Sequence, residues 1–82
     1  MTMAERMLRT QRENIKKANN ARFEFNDKEY VIRYEGGIAE YVGIYGRKKG
    51  IGNYRFVDGF AGYKMNTAEQ IVSMAKAIIA NK

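Results

Sequence analysis

Arg6, Arg9, Arg12, Lys16 and Lys17 recur at mostly three- and four-residue spacing near the start of the chain. Arg47-Lys48-Lys49, with Arg55 close behind, form a second cationic stretch near its middle. Guanidinium and ammonium groups spaced in this way neutralise rows of phosphates. Residues 1–22 hold six bases against two acids, a net +4, and residues 46–55 hold four bases and no acid, again +4. The five bases and seven acids elsewhere bring the formal total to +6. Charge spread for solubility alone would be more even, so the pattern points to a polyanion-binding surface, with nucleic acid as the first candidate.

Other chemistry is narrowed by what the chain lacks. There is no His, Cys or Pro. Without imidazole or thiolate there is no conventional zinc site, no imidazole base and no cysteine nucleophile. Glu24, Glu35, Glu40 and Asp58 fall on different expected strands, where ion pairs to Arg22, Arg33 and Arg55 account for them more simply than catalysis does. The expectation is a protein that is not an enzyme, with no cofactor and no metal. Eighty-two residues, 45% of them hydrophobic, suit one small domain with a core rather than a disordered tail. No apolar run approaches the ~18 residues needed to cross a bilayer, and Arg6 and Arg9 break up any signal-peptide core. A cytoplasmic protein with no membrane partner is expected.

The elements that must position these cations follow from periodicity. Thr2 with Glu5, and Thr67 with Gln70, have capping-box spacing. The first box opens a helix over 2–19, in which Met3, Ala4, Met7, Leu8, Gln11, Ile15 and Ala18 occupy a sector of about 140° and the bases occupy the opposite one. Asn19-Asn20 supplies its stop. The second box opens a helix over 68–81, with Ile71, Val72, Met74, Ala75, Ile78 and Ile79 on one broad stripe.

Between the helices the period changes to two. Strands are expected from 21 to 25 and over 29–35, 38–45 and 53–60, with turns at Asn26-Asp27-Lys28 and Gly36-Gly37. The segment from Gly46 to Gly52 reads as a glycine-rich basic loop. It has neither the spacing nor the following helix of a nucleotide-binding motif. The fold class is therefore α+β: an antiparallel β-meander of three to four strands, flanked by an N-terminal and a C-terminal helix on one face (α-β-β-β-β-α). Under the helices the pattern places Phe23, Phe25, Ile32, Val42, Ile44 and Phe56. Towards solvent it places Arg33, Tyr41, Tyr45, Arg55 and Val57.

Tyrosine on an open sheet face stacks unpaired bases, and neighbouring arginine meets phosphate or base faces. Tyr41 and Tyr45 with Arg33 and Arg55 fit that use; they equally fit packing on a half-buried sheet or contact with a protein partner. The nucleic-acid-binding set is thus Arg6, Arg9, Arg12, Lys16, Lys17, Arg33, Tyr41, Tyr45, Arg47, Lys48, Lys49 and Arg55.

The order of elements is similar to that of double-stranded-RNA-binding domains, in which the first helix, a loop between strands and the start of the last helix bridge the RNA grooves. Arg6 to Lys17 and Arg47-Lys48-Lys49 match two of those roles. The lysine cluster of the third is here Asn66-Thr67-Ala68-Glu69-Gln70. The start Met3-Ala4-Glu5-Arg6-Met7-Leu8-Arg9, with Ala21-Arg22-Phe23-Glu24-Phe25 and Tyr30-Val31-Ile32-Arg33-Tyr34-Glu35-Gly36-Gly37, resembles small accessory proteins of T4-like phages. Among these it looks like inhibitors of the endoribonuclease toxin of type III toxin–antitoxin systems. That resemblance implies a counter-defence protein in the host cytoplasm, with RNA and a host toxin as partners. The alternatives are a protein-only inhibitor docked on an acidic host surface and a small DNA-binding regulator.

Overall fold

The computed structural model describes residues 2–82, Leu8 by its backbone alone, so its place on the apolar stripe lies outside the described residues. The elements are α1 (Met3–Lys16), β1 (Arg22–Phe25), β2 (Lys28–Gly36), β3 (Tyr41–Lys48), β4 (Ile51–Ala61) and α2 (Ala68–Ala80). The four strands form one antiparallel sheet in the order β1-β2-β3-β4. This is the expected α+β arrangement.

Both helices start where the capping boxes put them. Thr2 and Glu5 exchange backbone-to-side-chain bonds of 3.2 Å, and Thr67 and Gln70 do the same at 3.2 Å. α1 ends three residues earlier than the periodicity suggests. Asn20 turns the chain at φ +71°, its N–H donates to Ile32, and the Asn19 side chain accepts from the Tyr34 N–H. The two asparagines bond to β2 in place of a further helical turn.

One face of the sheet and the two helices enclose the core: Ile15 from α1, Ala18 from the turn after it, Tyr30, Ile32, Val42 and Ile44 from the sheet, and Ile71, Ala75 and Ile79 from α2. The other face has no helix on it. Val31 lies there, cross-strand from Tyr45 and Arg22, and is only 1% exposed. Neighbouring side chains rather than a helix must cover it.

Four expectations change. Strand β3 begins at Tyr41, not Ile38: Gly36 and Gly37 take φ +84° and +82°, Glu40 takes +50°, and Ile38 is fully exposed in the turn. The basic loop is almost all strand, because β3 runs on to Lys48 and β4 restarts at Ile51, leaving Lys49-Gly50 as the turn. Phe56 does not lie under the helices. Ile44 pairs with Asp58 but Tyr45 pairs with Phe56, so a bulge at Val57 reverses the faces of β4 beyond it. Phe56 then meets the Tyr45 ring edge-on at 5.6 Å on the open face, while Arg55, across from Gly46, falls on the helix-bearing side with Val57. Finally, Phe25 is on the expected face but lies past the end of α2 and remains partly exposed.

Candidate nucleic-acid interface

The cations of α1 divide by use. Arg12 donates through Nε to Glu40 Oε1 at 2.8 Å, and Lys16 stands 5.7 Å over the Tyr34 ring. Arg6, Arg9 and Lys17 are exposed, with no carboxylate within 4 Å among the described residues. The apolar side of the helix is covered only in its second half. Ile15 is fully buried, whereas Met3 and Met7 are 78% and 67% exposed, because the first two turns project past the sheet.

The hairpin cations divide in the same way. Arg47 is held three times, by Glu29 at 3.6 Å, by the Gly52 carbonyl at 3.1 Å and over the Tyr54 ring at 4.5 Å. Lys49 pairs with Glu24 at 3.3 Å. Lys48 and Arg55 have no such partner among the described residues. Glu29 also accepts the Gly50 N–H, and that bond, followed by the Arg47 charge, holds its carboxyl below the usual range.

Distance separates the two groups. Arg12 is anchored beside the first residue of β3 and Lys48 is its last; eight strand residues span about 23 Å. Asn20, just past the helix, bonds to Ile32 in mid-sheet, Arg12 reaches Glu40 ahead of β3, and Met3 and Met7 are exposed, so α1 runs outward from the sheet towards its own N-terminus. Arg9 and Arg6 therefore lie further still from the hairpin, in a molecule measuring 47 × 22 × 16 Å. The expected single cationic patch is instead two, separated by at least the length of β3.

The open-face tyrosines pack closely onto the sheet. A Cβ on Gly59 would fall 2.1 Å from the Tyr41 hydroxyl, and one on Gly43 would fall 3.0 Å from the Tyr45 ring, so each ring lies across a glycine. Tyr45 donates to Glu35 at 2.6 Å, and this bond, more than burial, raises its pKa. Arg33 donates to the Asn20 side chain. Tyr41, Tyr45 and Arg33 thus share the open face with Phe56, while Arg55 is on the other side.

The register also joins residues that sequence reasoning left apart. Lys28 pairs directly with Lys48 on the helix-bearing side, near Phe25, Tyr30, Val57 and Lys82. The signal was present in the hairpins. Asn26 and Asp27, at φ +51° and +63°, make a two-residue turn of the primed type that fixes the β1–β2 register. Lys28, read as a turn residue, is in fact the first residue of β2.

Among the described residues no cluster of His, Cys, Asp or Glu is placed to hold a metal ion, and no helix is long and apolar enough to cross a membrane. Comparison with protein-family models, with curated proteins and with solved structures finds no match.

Proposed function

We propose that this chain is a small non-enzymatic RNA-binding protein that holds phosphates at two separate places: the outer face of α1 and the end of the sheet at Lys28, Lys48 and Arg55. The observation that carries this reading is the state of the cations. Of fifteen Lys and Arg, only Arg12, Arg47, Lys49 and Lys82 pair with a carboxylate among the described residues; of the others, Arg6 and Arg9 lie on the outer turns of α1, and Lys28, Lys48 and Arg55 lie near the β3–β4 hairpin. The carboxylates support the non-enzymatic part. Glu24, Glu29, Glu40 and Asp58 each hold a cation, and Glu35 accepts from Tyr45. Two contact regions separated along one axis suit the successive phosphate ridges of folded RNA better than a single small anion does. The resemblance to phage accessory proteins gives such binding a role: occupying the RNA that accompanies a host endoribonuclease toxin, or the toxin together with that RNA.

Electrophoretic mobility shifts with structured RNA and with DNA of the same sequence, repeated for R6Q/R9Q and K28Q/K48Q, test the reading. Loss at either end should weaken RNA binding. Affinity unchanged in both variants would remove it.

A second reading draws on Met3 and Met7, whose exposure leaves the apolar side of α1's first two turns without a partner. A protein that buried this stripe and met Arg6 and Arg9 with carboxylates would make the chain a protein-only inhibitor. In that case M3S/M7S would abolish partner binding, and free RNA would not bind.

A further inference from the structure

The helix α2 ends at Ala80, whereas β3 and β4 continue to the Lys49-Gly50 turn, so the last part of the helix-bearing face is uncovered. A cleft of about 420 Å³ opens there, within the usual range for small-ligand sites. Tyr30, Val57, Ile79 and Phe25 supply its apolar surface, and Lys28 and Lys48 line it as well. Gly46 is part of this construction. A Cβ at that position would stand 2.8 Å from the Tyr30 ring, so only glycine lets the ring lie across the strand.

The two lysines are a cross-strand pair. Like charges directly opposite one another in a sheet are destabilising. Neither ammonium has a carboxylate within 4 Å among the described residues. Of the acids around this end of the sheet, Glu29 pairs with Arg47, Glu24 with Lys49 and Asp58 with Lys82 at 3.1 Å, while Asp27 in the β1–β2 turn has no cation within 4 Å among the described residues. Two uncompensated positive charges beside an apolar cleft call for a dianion attached to an apolar body. A phosphate monoester carries close to two negative charges at neutral pH, whereas an internal phosphodiester carries one.

We propose that the cleft binds a terminal nucleotide phosphate, with the monoester between Lys28 and Lys48 and the base on the exposed Phe25–Val57 surface. The ligand is either a free nucleoside monophosphate or the phosphorylated end of an RNA strand. The strand-end form rests on the RNA-binding reading above and names the part of the strand that this end of the protein takes.

Fluorescence anisotropy separates the possibilities. The probes are ribo-octamers carrying a 5′-phosphate, a 3′-phosphate or only hydroxyl ends, with nucleoside monophosphate as competitor. A terminal phosphate should tighten binding at least tenfold in the wild-type protein. K28Q/K48Q should erase that difference; R6Q/R9Q should weaken phosphorylated and hydroxyl strands alike and preserve it; and Lys76→Glu on the exposed side of α2 should also preserve it. Equal affinity for phosphorylated and hydroxyl strands, or a tenfold preference surviving K28Q/K48Q, overturns the cleft assignment. If that equality accompanies strand binding still sensitive to R6Q/R9Q, the RNA-binding reading stands without it. Lysine-dependent binding of the mononucleotide, with strands binding no better, upholds the cleft and removes the RNA-binding reading.

Discussion

Arg12 and Glu40, 28 positions apart in sequence, lie 2.8 Å apart in the fold, and Glu40 is the single charged residue among the buried ones described. Its carboxylate also accepts the Tyr34 hydroxyl, and its carbonyl accepts the Gly62 N–H at 2.9 Å. A non-glycine residue at φ +50° is held there by contacts with α1, β2 and the end of β4 together. One of the arginines that sequence spacing assigns to phosphate is therefore engaged in holding α1 against the sheet.

Arg12→Ala should cost about 1–3 kcal/mol in urea unfolding, because it leaves a buried carboxylate short of a partner; the exposed side of the guanidinium keeps the loss below that of a fully buried pair. Arg9→Ala should leave stability unchanged within about 0.5 kcal/mol and weaken RNA binding. Equal stability for the two variants would deny Arg12 its structural role.

Tyr34 and Tyr45 should titrate above ordinary tyrosine. The hydrogen bond to Glu40 raises Tyr34, reinforced by burial and by the charge of that carboxylate, and Glu35 does the same for Tyr45. Both pKa values are raised on folding, so the folded state holds these protons more tightly than the unfolded chain. The resulting stability is complete below the unfolded pKa near 10 and is lost as pH rises through the folded values. Tyrosinate absorbance against pH should show a component titrating above 10 that loses one group's amplitude in Tyr34→Phe. Uniform titration of all six tyrosines near 10 would contradict the geometry.

Lys48→Glu should stabilise the fold by about 0.2–1 kcal/mol, since it converts the Lys28–Lys48 repulsion into a cross-strand attraction. RNA affinity should fall in the same variant. A lower melting temperature would mean that the two ammonium groups already avoid each other.

Gly46→Ala should destabilise by about 1–3 kcal/mol, because the new methyl group meets the Tyr30 ring and Val57. Thermal unfolding would show this directly, and an unchanged midpoint would mean that Tyr30 has room to move.

Element identity was readable because its signals are local. The two capping boxes, the shift from helical to alternating period and the Asn26-Asp27 turn each lie within a few residues of what they specify. The ends of β3 and β4 were not. Gly46 and Gly52 suggest a loop, yet Gly46 makes room for a ring and Gly52, at φ +79°, sits where the β3–β4 register shifts. The bulge at Val57 has no marker of its own, and missing it puts Phe56, Val57 and Arg55 on the wrong faces. The cations were countable in sequence, but their partners were not. Glu24 for Lys49, Glu29 for Arg47 and Glu40 for Arg12 come from other elements, and only tertiary structure distinguishes an engaged cation from a free one.

The salt dependence of RNA binding tests the central claim most directly. With Arg6, Arg9, Lys17, Lys28, Lys48 and Arg55 on phosphates, log affinity against log salt should fall with a slope of about −4, a loss of two to three orders of magnitude between 50 and 200 mM. R6Q/R9Q and K28Q/K48Q should each lower that slope by about 1.4. A slope near zero, or one unchanged by both double substitutions, would contradict the account.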